Sequence, residues 1–179
     1  FALALEDPPD HIEETIALER DLYGVDEAGC RRAQEGLERL DATRLAEAII
    51  SGRVQQEDAP LLRWPAPNTL FARDLVVAIG DALVLTHAAE PARRRDMTLM
   101  RAIARHHPLL RDVPHIDLAD DGPVRDASGP IATLEGGDVQ VLSDDVVLIG
   151  VGLRTTMAAV ERLAPKLFAR GVSVVLACE

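Results

Sequence analysis

Apolar side chains recur every three to four residues through the first third of the chain, which is the spacing that one face of an α-helix produces. The stripe runs from Ile12 to Ile50 without strand-like alternation. Asp41 is suited to cap the N-terminus of the last helix in this region, and Gly52 is suited to end it. Residues 1–58 are therefore predicted to form a small helical subdomain.

The pattern changes after residues 54–67, where three prolines exclude regular elements and indicate a connector. Two short apolar runs then flank a Gly80-Asp81 turn, as in a β-hairpin. A helix that begins near Pro91 and a further apolar run follow. The predicted order is strand, strand, helix, strand, over residues 75–79, 82–86, 91–107 and 113–118.

The same order recurs about 64 residues later along the chain. Its elements are predicted over residues 139–142, 146–151, 157–170 and 172–177, with Gly171 ending the helix. We therefore expect residues 59–179 to contain two ββαβ modules. The fold class is α/β, with a helical subdomain preceding the repeated modules.

Composition narrows the classes of protein that fit. The 179 residues are 47% hydrophobic and 27% charged, which is typical of a soluble globular protein, and no apolar run approaches the roughly 20 residues of a membrane-spanning helix. A net charge of −11 has the wrong sign for binding phosphates, so neither nucleic acid nor membrane is an expected partner. Two cysteines without metal-ligand spacing and the lack of a leader sequence favour the cytoplasm and predict neither a disulfide framework nor a metal site. We expect no cofactor, and a homo-oligomer is left open.

Each predicted module carries a carboxylate before its first strand and an arginine at the start of its helix. The carboxylates are Asp74 in the first module and Glu135 in the second, and the arginines are Arg93 and Arg154. In a ββαβ unit these positions lie at the same edge of the sheet. A cation at a helix N-terminus opposes the helix dipole, so each arginine is expected to face an anion, either a substrate carboxylate or a protein carboxylate.

Four segments together resemble the arginine deiminase family of guanidine-modifying enzymes. In chain order they are the Pro-Asn-x-x-Phe-x-Arg-Asp segment at 67–74, Pro-Ala-Arg-Arg at 91–94, Leu-Glu-Gly-Gly-Asp at 134–138 and Arg-Thr at 154–155. The helical region before Pro65 is also similar to the insertion that distinguishes arginine deiminases from shorter relatives such as dimethylarginine hydrolases.

The resemblance implies a propeller of five ββαβ modules around a central pocket, of which this chain holds about two. It implies a small guanidino substrate such as L-arginine, hydrolysed to citrulline and ammonia through a covalent cysteine intermediate. Asp74 then holds the guanidinium and Glu135 lies beside the catalytic histidine. Asn68, Arg93 and Arg154 clamp the substrate carboxylate, and Phe71 packs against the guanidinium end.

The family's His-x-Asp pair and late cysteine have no match here, so we expect them in a further part of the same polypeptide and expect this segment alone to be inactive. Cys178 is predicted to be a buried small residue at a strand end, and Arg94 and Arg95 are predicted to face solvent. Two alternatives stay open. One is a hydrolase or amidinotransferase for another guanidino compound, and the other is an arginine-binding module without catalysis.

Overall fold

The computed structural model describes residues 9–55, 59–66, 68–121 and 132–179. These residues form two compact units. The helical unit contains the described part of Phe1–Thr69 together with Pro91–Asp112, and the sheet unit contains Leu70–Glu90 together with the described part of Val113–Glu179.

The described residues contain six α-helices and six β-strands, with short 3-10 or π turns between some of them. The helices are α1 Pro9–Ala17, α2 Glu27–Leu37, α3 Ala42–Ser51, α4 Ala72–Leu75, α5 Arg94–His106 and α6 Met157–Phe168. The strands are β1 Val76–Ile79, β2 Ala82–Leu85, β3 His115–Asp117, β4 Val139–Ser143, β5 Val146–Gly150 and β6 Val174–Cys178. Every described helix is too short or too polar to cross a bilayer.

The helical unit follows the predicted stripe and its predicted ends. The Asp41 side chain accepts a hydrogen bond from the Arg44 backbone N–H, and Gly52 adopts a φ of 75°, so α3 begins and ends where the sequence indicates. The apolar faces of α1, α2 and α3 share one core, which also includes Leu99 and Ala102 of α5. The helical character of this region is confirmed.

The order strand, strand, helix, strand occurs twice along the chain, as predicted. The sheet unit contains the strands of both repeats and the helix α6 of the second, whereas α5 of the first belongs to the helical unit. In each repeat, two strands pair antiparallel as a hairpin and the second strand pairs parallel with the strand that follows the helix, giving the sheets β1-β2-β3 and β4-β5-β6. The buried faces of both sheets and of α6 form one hydrophobic core. The repeat is confirmed, while the count of five modules stays a prediction.

Two features differ from the sequence-based expectations. The compact units are not continuous along the chain, because α5 lies beyond residue 58 and yet shares the core of the helical unit. The division into domains 1–58 and 59–179 stays a prediction. The prediction of a buried Cys178 is wrong: this cysteine is exposed. Cys178 ends β6, an edge strand on which most side chains are exposed. The apolar character of a short strand does not reveal which of its faces is covered, so burial of Cys178 could not be inferred from the sequence.

Candidate functional site

The six candidate residues are divided between the two units. Asp74, Phe71, Glu135 and Arg154 belong to the sheet unit, whereas Asn68 and Arg93 belong to the helical unit. Phe71 directly precedes α4 and is 53% exposed, so its ring is available to a ligand.

The backbone beneath Asp74 is held by a buried hydroxyl. Asp74 lies in α4, which ends at Leu75 directly before β1, and the Asp74 side chain is half-buried. Thr86, at the end of the hairpin, is 1% exposed, and its hydroxyl lies 2.7 Å from the Asp74 carbonyl oxygen and 2.8 Å from that of Leu75. Sequence reasoning missed Thr86, although a threonine directly after a buried strand was a signal that its hydroxyl needs a partner.

The Asp74 turn contacts the Gly136-Gly137 bend of the second module at very short range. A Cβ at Gly136 would lie 2.0 Å from the Arg73 carbonyl oxygen, and a Cβ at Gly137 would lie 2.8 Å from Asp74 Oδ1. Only glycine allows two backbones to approach this closely. The two glycines thus let the Asp74 turn pack against the bend that directly follows Glu135 in the chain. The shared edge for the two carboxylates stays a prediction.

Arg73 adds a second connection between these turns. Its Nη2 donates to the Val139 carbonyl oxygen at 2.7 Å and to Gln140 Oε1 at 3.0 Å. The turn that bears Asp74 is therefore fixed to the beginning of β4. The anchor is supplied by the neighbour of Asp74 along the chain.

Glu135 is buried and paired with Arg154. Arg154 Nη1 donates to both Glu135 carboxylate oxygens at 3.2 Å, and the glutamate side chain is 7% exposed against 49% for the arginine. The next residue along, Thr155, fixes the loop: its Oγ1 accepts from the Glu135 backbone N–H and donates to Asp138 Oδ2 at 2.6 Å. The anion expected beside Arg154 is thus a protein carboxylate in the absence of ligand.

The arrangement around Arg93 in the helical unit is analogous. Arg93 ends a 3-10 turn before α5, and its Nε donates to Asp96 Oδ2 at 3.2 Å. Asp96 is fully buried, and the backbone amide of Asn68 lies near the same carboxylate. Burial raises the pKa of Asp96, against the opposing effects of Arg93 and Asn68.

The prediction that Arg94 and Arg95 face solvent is wrong, since they are 9% and 0% exposed. Arg95 forms an ion pair with the buried Glu19, and its guanidinium lies 5.6 Å from the centroid of the Tyr23 ring. Glu19 belongs to a π-helical turn after α1. Because Arg95 follows it by 76 positions, the ion pair joins two segments that are far apart in sequence. Glu19 also accepts the Arg63 backbone N–H at 2.9 Å.

Comparison with known proteins identifies the chain. The sequence model of the arginine deiminase family matches residues 36–179. The chain belongs to the arginine deiminase family. It is 34% identical over 151 residues to an arginine deiminase of Listeria monocytogenes serovar 1/2a, covering 83% of this chain and 35% of that protein. It is 37% identical over 117 residues to an arginine deiminase of Bacillus cereus strain ATCC 10987, covering 65% of this chain and 27% of that protein.

Among solved structures, this arginine deiminase family member is similar to a dimethylarginine dimethylaminohydrolase from Pseudomonas aeruginosa, solved as a cysteine-to-serine mutant in complex with citrulline. The TM-score is 0.46 at 23% identity, over 64% of this chain and 40% of that structure. The chain spans about a third of the length of the curated arginine deiminases that it matches. Within the described residues, no group of three or more His, Cys, Asp or Glu side chains is placed to hold a metal ion.

Proposed function

We propose that the polypeptide containing this chain hydrolyses L-arginine to L-citrulline and ammonia, and that this chain supplies carboxylates and arginines that bind the substrate. The observation that supports the proposal is the close contact between the Asp74 turn and the Gly136-Gly137 bend, which directly follows Glu135 in the chain. A planar guanidinium cation binds best to carboxylates that accept its paired N–H groups.

In the proposed reaction, Asp74 holds the guanidinium nitrogens so that the central carbon faces an attacking cysteine. The thiolate adds to that carbon, the carbon–nitrogen bond breaks, and the protonated nitrogen leaves as ammonia. Water then attacks the covalent intermediate, the carbon–sulfur bond breaks, and citrulline and the free thiol result. We propose that a segment outside this sequence supplies the cysteine and the histidine that transfers protons, with Glu135 beside that histidine.

The substrate carboxylate is assigned to Arg93, Arg154 and Asn68, because guanidinium groups bind carboxylates through paired hydrogen bonds. Phe71 is assigned to pack against the guanidinium end, which agrees with its exposed ring. No cofactor enters this proposal, since the covalent step needs only a thiolate, a proton carrier and water.

The test is citrulline and ammonia release from L-arginine by the purified natural polypeptide and by its Asp74→Asn variant. The amide keeps the shape of the carboxylate and loses its charge, and losing one partner of a desolvated ion pair costs about 3–5 kcal/mol. If the contact persists in the transition state, turnover should fall by roughly 10²–10⁴. The melting temperature should change little.

The matched control is Asp144→Asn, which makes the same substitution at an exposed aspartate in the turn of the second hairpin. It should leave both turnover and melting temperature unchanged. Near-normal release by Asp74→Asn would remove Asp74 from the site. Release of a product other than citrulline, or turnover only of other guanidino compounds, would favour a different hydrolase or an amidinotransferase, and arginine binding without turnover would favour a binding module.

A further inference from the structure

The helical unit contains a buried carboxylate that the family resemblance did not point to. Asp96, in the first turn of α5, is 0% exposed and accepts a hydrogen bond from Arg93 Nε at 3.2 Å. The Arg93 side chain is itself 11% exposed, so the contact is shielded from water. The backbone amide of Asn68, from the segment after the proline connector, lies near the same carboxylate.

Asp96 thus connects two of the residues that the proposed function assigns to the substrate carboxylate. Its contact with Arg93 uses the Nε–H side of the guanidinium, which is one of the faces through which a guanidinium pairs with carboxylates. A carboxylate on the Nε side limits rotation of the guanidinium plane. Arg93 is therefore held in a defined orientation before any ligand arrives.

Stability alone does not account for an aspartate at this position. A fully buried carboxylate loses the favourable hydration it has in water, and ion pairs of this kind often stabilise a fold no better than well-packed uncharged residues. An acidic residue in the first turn of a helix does gain from the helix dipole, but this gain is small. A role in orienting Arg93 explains why the charge sits beside that arginine.

We propose that Asp96 is a positioning residue for substrate recognition, which holds the Arg93 guanidinium and the Asn68 backbone so that both face the α-carboxylate of the substrate. The inference rests on the proposed function, because it needs Arg93 to bind that carboxylate. Asp96 does not touch the substrate in this scheme. It acts only on the part of the molecule that recognises the carboxylate and not on the part that recognises the guanidinium.

The test compares Asp96→Asn with wild type in the natural polypeptide, measuring kcat and KM for L-arginine and the inhibition constant of agmatine, which is arginine without its carboxylate. Misplacing a group that orients substrate by about 1 Å costs on the order of a hundredfold. We expect KM for arginine to rise by about ten- to a hundredfold, with kcat changed much less. The agmatine constant should stay within about twofold, and the melting temperature at pH 7 should stay the same or rise.

Glu19→Gln is the matched control, since Glu19 is the other buried carboxylate that pairs with an arginine at the start of α5. It should lower the melting temperature and leave KM for arginine unchanged. A second variant, Asp96→Glu, keeps the charge and should recover part of the affinity that Asp96→Asn loses. It also decides the matter if Asp96→Asn does not fold: a rise in KM for arginine with an unchanged agmatine constant supports the inference, and an equal change in both, or no change in either, overturns it.

The outcomes separate this inference from the proposed function. A wild type that neither binds nor hydrolyses L-arginine would overturn both. Normal wild-type turnover beside an unchanged arginine KM in Asp96→Asn would overturn the positioning role alone. Equal losses for arginine and agmatine, or equal losses in Asp96→Asn and Glu19→Gln, would also overturn it, because they would show a general structural effect.

Discussion

The contact between the two modules makes Gly136→Ala a sharp test of how the carboxylates are placed. A Cβ at Gly136 would lie 2.0 Å from the Arg73 carbonyl oxygen and 2.6 Å from Val77 Cγ2. Real Cβ contacts are not found below 3.0 Å, so the backbone that bears Asp74 must move away by about 1 Å. The obstructing atom is a backbone oxygen, which cannot rotate aside as a side chain would.

Both stability and activity should respond to Gly136→Ala. Overpacking of a close contact costs about 1–3 kcal/mol, which corresponds to a fall in melting temperature of roughly 2–12 °C for a chain of this size. Moving Asp74 by about 1 Å should also lower kcat/KM for arginine by on the order of 10². The assays are thermal melting followed by circular dichroism and citrulline release by the natural polypeptide.

Two other glycines separate steric displacement from the mere addition of a methyl group. Gly152 has nothing within 4 Å of its Cβ position, so Gly152→Ala should match wild type in both assays. A Cβ at Gly137 meets only the end of the Asp74 side chain, at 2.8 Å, so Gly137→Ala should keep the melting temperature and still lose activity. If Gly136→Ala behaves like Gly152→Ala, the short contact does not set the position of Asp74.

Three further substitutions test charged groups. Arg154→Ala should weaken L-arginine binding about 10- to 100-fold by calorimetry through loss of a charge-assisted contact, while Arg39→Ala, at a side chain 78% exposed, should not; equal affinities would remove Arg154 from the site. Glu19→Gln should lower the free energy of unfolding in urea by about 3–5 kcal/mol, because Arg95 is left buried without its partner, and a loss under about 1 kcal/mol would contradict this. Burial raises the pKa of Asp96, so the stability that its protonated form contributes is present below the ordinary pKa of about 4 and is lost as pH rises through the raised pKa. Melting curves at a series of pH values should therefore show wild type losing stability relative to Asp96→Asn over that range. Parallel pH dependence in the two proteins would refute this.

Features that depend on neighbours along the chain were predicted well. Asp41 and Gly52 bound α3 because a side-chain cap and a left-handed glycine act within one helical turn. The Gly80 turn, with a φ of 58°, follows from the same local logic. The order of apolar runs and breaks recurs about 64 residues along the chain, so the repeat itself was visible in the sequence.

Features that depend on contacts distant in sequence were not predicted. Arg95 appeared to be a solvent-facing residue because its partner Glu19 precedes it by 76 positions. Thr86 was predicted only as the last residue of a strand, although its hydroxyl donates to the backbone carbonyl of Asp74, a candidate site residue. The Gly136-Gly137 pair was noted only as part of the Leu-Glu-Gly-Gly-Asp segment, while the need for glycine comes from the Arg73 backbone at Gly136 and the Asp74 side chain at Gly137.

From the sequence, the anion beside Arg154 could be either a substrate carboxylate or a protein carboxylate. The structure has the Glu135 carboxylate there, and this pairing agrees with a substrate-binding role for Arg154. Both contacts with Glu135 involve Nη1, and the Arg154 side chain is 49% exposed. A guanidinium has five N–H donors, so one carboxylate does not exhaust it. Glu135 keeps the arginine at the sheet edge without ligand, since a buried carboxylate fixes a long side chain that would otherwise sample many rotamers. A substrate carboxylate could then bind through the remaining N–H groups and join Glu135 at Arg154 without displacing it.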